Sequence, residues 1–185
     1  MPRRLFVFDP PDRFIAGTVG APGNRTFYLQ ASKGDANVSV ALEKVQVQLL
    51  AQRLVQLLSE VRSRGIAVPT EPTASDSDRG PLREPVISQF TVGAMILAWD
   101  GSDDSVIVEA REELDDDEEE EPVEIADDDP DGPDLLRVRI PPTTALAFAE
   151  RAAELVAAGR PPCPLCGQPL DPQGHLCPRR NGYLN

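Results

Sequence analysis

Short apolar runs bounded by turn residues open the chain, and one of them, Val38–Leu42, alternates with a period of two. Leu5–Phe8, Arg13–Val19, Thr26–Ser32 and Val38–Leu42 each read as a strand, and breaks at Asp9-Pro10-Pro11-Asp12, Gly20–Asn24 and Lys33–Ala36 separate them. From Glu43 to Arg64 the period changes to that of a helix. Val47, Leu50, Leu54, Leu57, Leu58 and Val61 form its apolar stripe, and Gly65 ends it. Two further strand-like runs, Val86–Trp99 and Ser105–Ala110, flank the turn Asp100-Gly101-Ser102. Leu135–Ile140 alternates again. A second helix starts at Pro141-Pro142-Thr143 and runs to Ala158, with Leu146, Ala149, Ala153 and Val156 on one face and Gly159 as its stop.

This order predicts an α+β domain over residues 1–159: a mainly antiparallel sheet, because short turns join most strands, packed with two helices. Residues 66–85, rich in Pro, Ser, Thr and Asp, are expected to be a loose linker. Residues 111–134 are expected to be a disordered acidic loop, and 160–185 a zinc-ribbon-like tail.

Charge sharpens the reading of the loop. The 185-residue chain has a formal net charge of −13, yet segment 109–134 alone holds 16 of the 31 acidic residues and one Arg. Outside it, 15 acidic residues face 17 basic ones, so the folded part is close to neutral. The segment contains Asp127-x-Asp129-x-Asp131-Gly132, the first half of a calcium-loop pattern, but Val138 stands where that pattern needs Glu. A solvated charge run, or a lure for a basic partner, accounts for it better. No run reaches the eighteen or so apolar residues that read as a membrane helix, and the Met-Pro-Arg-Arg start has no apolar signal segment. A cytoplasmic location is expected.

The chemistry concentrates at the end of the chain. All three cysteines and the only histidine fall within fifteen residues: Cys163, Cys166, His175 and Cys177. Three thiolates and an imidazole match a closed tetrahedral zinc set, so the expected cofactor is a structural Zn2+. Cys-x-x-Cys followed by Gly167 makes a tight turn, and His-x-Cys on an extended segment points both ligands the same way. A redox pair or a disulfide competes. Pro164 and Gly167 favour a turn over the helix start that redox pairs use, and three cysteines cannot all pair.

With His and Cys committed to metal, no nucleophilic triad and no phosphate loop remain, so enzyme activity is undecided. Polar residues where strands end and the first helix begins (Asp9, Asp12, Arg13, Asn24, Arg25, Glu43, Lys44) are ordinary surface charge or the lining of a cleft. Arg25, Glu43 and Lys44 are the candidate cleft residues. Arg179, Arg180 and Tyr183 make too thin a patch for nucleic acid beside so acidic a segment.

Several stretches resemble a family of uncharacterised actinobacterial proteins known only as a domain of unknown function. They are Arg25–Ala31, Ser39–Lys44, Val92–Met95 with Ala98–Asp100, and Cys163–Gly167 leading to Cys177–Tyr183. The resemblance spans nearly the whole chain and implies the domain and its zinc tail, with no catalytic residues to carry over. Genes of that family lie near those of a phosphoinositide-kinase-like and a histidine-phosphatase-like protein, which implies a kinase-like or phosphatase-like protein partner. The expected function is a binding or adaptor module. The alternative is an enzyme, or a subunit of one, in a phosphoryl-transfer or phosphate-related pathway.

Overall fold

The computed structural model describes residues 2–114, 129–159, 162–168, 170, 175, 177 and 179. The strands are β1 (Leu5–Phe8), β2 (Arg13–Val19), β3 (Thr26–Lys33), β4 (Ala36–Leu42), β5 (Ser88–Asp100), β6 (Ser105–Glu112) and β7 (Leu135–Ile140). Helix α1 (Lys44–Ser63) lies between β4 and β5, and α2 (Pro142–Ala157) follows β7. The strands form one sheet in the order β1-β7-β6-β5-β4-β3-β2. The chain is therefore α+β, with a mostly antiparallel mixed sheet.

Hairpins make β2–β3, β3–β4 and β5–β6 antiparallel, and the longer β6–β7 connection gives the same sense. The two parallel pairs have separate causes. β4 leads into α1, and a strand reached through a crossover helix returns parallel, as β5 does. β1 comes from the N-terminal end and adds to the outer edge of β7. The β4–β5 ladder shifts register between Ser39 and Ala41, and Ser88 fills the gap. Its Oγ accepts from the Ala41 amide (3.0 Å) and donates to the Phe90 carbonyl (2.7 Å).

Both helices pack on one face of the sheet and on each other, α1 against β5 and α2 against β2. In α1 the buried set is Val47, Leu50, Ala51, Leu54, Leu58 and Val61, the 3.6-residue stripe, while Leu57 is half-buried at its margin. In α2 the expected Leu146 and Ala149 are buried and Val156 packs half-buried against the core, while Ala153 is exposed and Ala145, Phe148 and Ala152 join the buried face. Phe148 anchors that face. Its ring stacks on Phe14 with centroids 4.6 Å apart, and the large ring outweighs the alanines in choosing which face turns inward. At the start of α1 the Gln46 side chain ties helix to sheet. Its Oε1 accepts from the Glu43 amide (2.8 Å), and its Nε2 donates to the Val92 carbonyl (2.9 Å).

Residues 66–85 do not hang free. Val68 is buried in the core, and the segment then crosses the outer edge of β2 to reach the sheet face away from the helices. Arg151 of α2 clamps it there, donating to the carbonyls of Ala16 (2.7 Å), Asp78 (2.6 Å) and Gly80 (2.8 Å). Arg13 pairs with the Asp78 carboxylate. Leu82 is buried over Gly17, where an added methyl would lie 2.5 Å from Leu82 Cγ. Gln30 finishes the clamp, accepting from the Arg83 amide (2.7 Å) and donating to the Arg83 carbonyl (2.9 Å). The polar composition of the segment reflects these pairings, which composition alone does not distinguish from solvation.

The ends of the acidic segment are likewise part of the fold. Glu109 is buried in β6 and accepts from Arg111 (2.6 Å) and Arg137 (2.7 Å). Asp134 is buried and takes the amide (2.7 Å) and guanidinium (2.6 Å) of Arg4. Residues 115–128, the centre of the expected disordered loop, lie outside the described residues. Among the described residues no helix is long and apolar enough to cross a membrane.

Replacing Arg151 by Met leaves three carbonyls without their donor, and net charge-assisted bonds contribute about 1.5–3 kcal/mol each. With partial compensation by water, the variant should lose about 3 kcal/mol, read as a lower urea midpoint with an unchanged slope. The Arg13 guanidinium, against an opposing cost of burial, holds the Asp78 carboxyl below its ordinary value. Its contribution is therefore present above the ordinary carboxylate range and lost as the pH falls through it. The stability gap between the native chain and Asp78→Asn should narrow as the pH drops below about 4. A gap independent of pH would contradict the pairing.

Candidate metal centre

Helix α2 stops where the tail begins. The Ala158 amide donates to the Glu154 carbonyl (2.8 Å), and Gly159 follows. Four residues later the chain folds into a knuckle. The Cys163 amide donates to the Gln168 carbonyl (2.7 Å), and the Gly167 amide donates to the Cys163 carbonyl (2.8 Å). Closing so tight a loop puts Gly167 at φ +75°, a left-handed conformation that glycine alone adopts without a Cβ penalty.

The knuckle presents Cys163 and Cys166 to His175 and Cys177. The four ligand atoms all lie within 4.8 Å of one another. Cys163 Sγ and Cys177 Sγ are 3.9 Å apart, and Cys166 Sγ is 3.2 Å from His175 Nε2. A disulfide needs about 2.05 Å, so the three cysteines are free thiols, as the metal reading requires. Three sulfurs and one nitrogen gathered this closely form a group that could hold one metal ion. Cys163 and Cys177 are buried, and Cys166 and His175 are half-buried.

The backbone prepares the set for a cation. Amides of Cys166 and Leu165 point at the Cys163 sulfur and lower its pKa. At Cys166 the Gln168 amide also favours the thiolate, but burial and the neighbouring Cys163 and Cys177 sulfurs outweigh it and raise the pKa. That opposition is the mark of like charges crowded together, which a divalent ion relieves. His175 directs Nε2 at Cys166, and its Nδ1 is buried with no hydrogen-bond partner among the described residues. The set could hold a metal ion.

Of the candidate cleft residues, the structure brings two together. Arg25 and Lys44 line a hollow of about 260 Å3 with Pro22, Phe27, Leu155 and Gly159. Glu43 is the residue before α1, its amide held by Gln46, and it is not part of that wall. The other polar positions are dispersed into local pairs. Asp12 accepts from the Gly34 amide (2.7 Å), Arg13 meets Asp78, and Asp9 lies 3.3 Å from Arg139. In the calcium-like run, Asp129 Oδ1 takes the Asp131 amide (3.0 Å), an ordinary turn, and Val138 is buried in β7. Asp127 lies outside the described residues. Sequence reasoning missed Arg151 and Asp78. The only available signal was an arginine beside Ala149, Ala152 and Ala153 on an alanine-rich helix.

The family model described as "Protein of unknown function (DUF3090)" matches residues 6–177. The chain belongs to that family, and the match runs through all four Cys and His positions. No curated protein and no solved structure matches the chain.

The positive φ at Gly167 has a measurable consequence. Gly167→Ala meets no neighbour within 4 Å, so any effect must come from the backbone conformation alone. It should cost about 1–2 kcal/mol, read as a five- to thirtyfold weaker metal affinity in a chelator competition, with the sheet's amide protection unchanged. An unchanged affinity would show that the knuckle turn does not set the site.

Proposed function

We propose that the chain is a binding module whose C-terminal Cys3His centre holds one structural zinc ion. The convergence of four ligand atoms within 4.8 Å carries this reading. Zinc fits better than its rivals because hard cations such as Ca2+ and Mg2+ prefer oxygen ligands to soft thiolates, and because a closed tetrahedron suits an ion without redox chemistry. The described tail offers few apolar groups to a core of its own; Leu165 is half-exposed and Leu170 half-buried. Metal binding therefore supplies the folding energy of the tail, on the order of 10 kcal/mol for such sites. The sheet and helices have their own continuous core and do not need the ion.

The purified chain should contain one zinc per molecule by mass spectrometry. Cys166→Ser should lose most of it, and the amides of Cys163–Gln168 should then exchange freely while those of α1 and the sheet stay protected. A variant that keeps the zinc of the native chain, or a metal-free chain with protected knuckle amides, would overturn the assignment.

A further inference from the structure

The hollow at Arg25 and Lys44 has a composition the metal centre does not explain. In the β3–β4 ladder Phe27 faces Leu42, so stepping two residues outward along each strand reaches Arg25 and Lys44 at the same end of the sheet. The arch before Arg25 is held tightly. The Asn24 amide donates to the Ala21 carbonyl (2.9 Å), and Gly20 and Gly23 take positive φ values. At Gly20 an added methyl would lie 2.4 Å from the Asn24 carbonyl oxygen. Arg25 donates from Nη1 to the Ala158 carbonyl (2.9 Å), the last carbonyl of α2's end, which fixes the guanidinium while leaving its remaining donors for another acceptor. Lys44 closes the other side, its ammonium about 3.5 Å from where a side chain on Gly159 would begin.

Two cations thus meet over an apolar floor of Phe27, Leu155 and Pro22, in about 260 Å3, and among the described residues no acidic side chain is part of the wall. Neither cation has a carboxylate partner among the described residues. Arg4, Arg13, Arg79, Arg111, Arg137, Arg139 and Arg151 each have an acidic neighbour. Other described cations such as Arg62 and Arg83 lack one too, but Arg25 and Lys44 are two that share one hollow. Like charges held together without a counterion favour an anion. We propose that this hollow binds a small dianionic oxyanion carried on an apolar body, the chemical class of a phosphate monoester. The two positive groups match the two negative charges, the Arg25 fork and the Lys44 ammonium supply donors, and Phe27 with Leu155 takes the apolar part. The volume suits one small body of ring size, below the usual range for drug-sized ligands. The proposal gives the binding module a ligand and rests on that reading of the chain. It does not depend on the zinc, which lies beyond Gly159 in separate residues.

The test is calorimetric titration of the zinc-loaded full-length chain with phenyl phosphate, alongside benzoate, which shares the ring but carries one charge. Phenyl phosphate should bind at one saturable site and weaken with added salt. Lys44→Met, at an exposed position with no structural bond, should weaken it about tenfold, and Lys44→Arg should largely restore it. Benzoate should bind more weakly than phenyl phosphate. Absence of saturable binding, equal affinity in Lys44→Met, or benzoate binding as tightly as phenyl phosphate would each overturn the proposal. Zinc content measured on the same samples separates such a failure from loss of the metal centre.

Discussion

The guanidinium of Arg151 collects the carbonyls of Ala16, Asp78 and Gly80 at the edge of the sheet, and the layout of the molecule depends on that meeting. Arg151 belongs to a helix that follows the last strand, yet the groups it binds come from the second strand and from the connection between the first helix and β5. The two halves of the chain are interlaced in the same sense elsewhere: α1 packs on β5, α2 on β2, and β1 pairs with β7. A fold tied in this way is expected to unfold as one unit, because loosening α2 releases the strap and exposes the β2 edge together. The strap also covers a sheet face that would otherwise expose Gln30 and the small residues Gly17 and Ser39 to open solvent.

The end of α2 lies beside the cationic hollow. Ala158 and Gly159 lie against Arg25 and Lys44, and Cys163 follows four residues later. The body is therefore a rigid base that presents a metal knuckle at one corner and a cationic hollow beside it. The two features use different physics. In the knuckle, sulfurs crowd together, an arrangement a divalent ion would relieve. In the hollow, two cations stand without a counterion among the described residues. Each is a local imbalance of charge, and the proposed zinc and anion sites rest on them.

Much of this was legible in the sequence. The strands, both helices and the gathering of Cys163, Cys166, His175 and Cys177 follow from periodicity and from the spacing of Cys and His. Periodicity missed one position of α2: Phe148 stacks on Phe14 and is buried, while Ala153 is exposed. Composition misled where polar residues had partners far away in sequence. Asp78 and Arg83 look like linker residues until Arg151, Arg13 and Gln30 are placed beside them, and Glu109 and Asp134 look like the ends of a charge run until Arg137 and Arg4 meet them. Long-range ion pairs leave no periodic trace, so a local pattern cannot reveal them. The candidate cleft was found in part for a related reason. Strand ends indicate which residues share an edge, but not that Glu43 would serve the start of α1 while Arg25 reached the end of α2.

X-ray absorption at the zinc edge of the purified chain reads the shell that Cys163, Cys166, His175 and Cys177 are proposed to close. Three sulfur neighbours at about 2.3 Å and one nitrogen at about 2.0–2.1 Å, with no further oxygen ligand, are expected. A shell of oxygen and nitrogen atoms, or a sulfur count below three, would contradict the proposal.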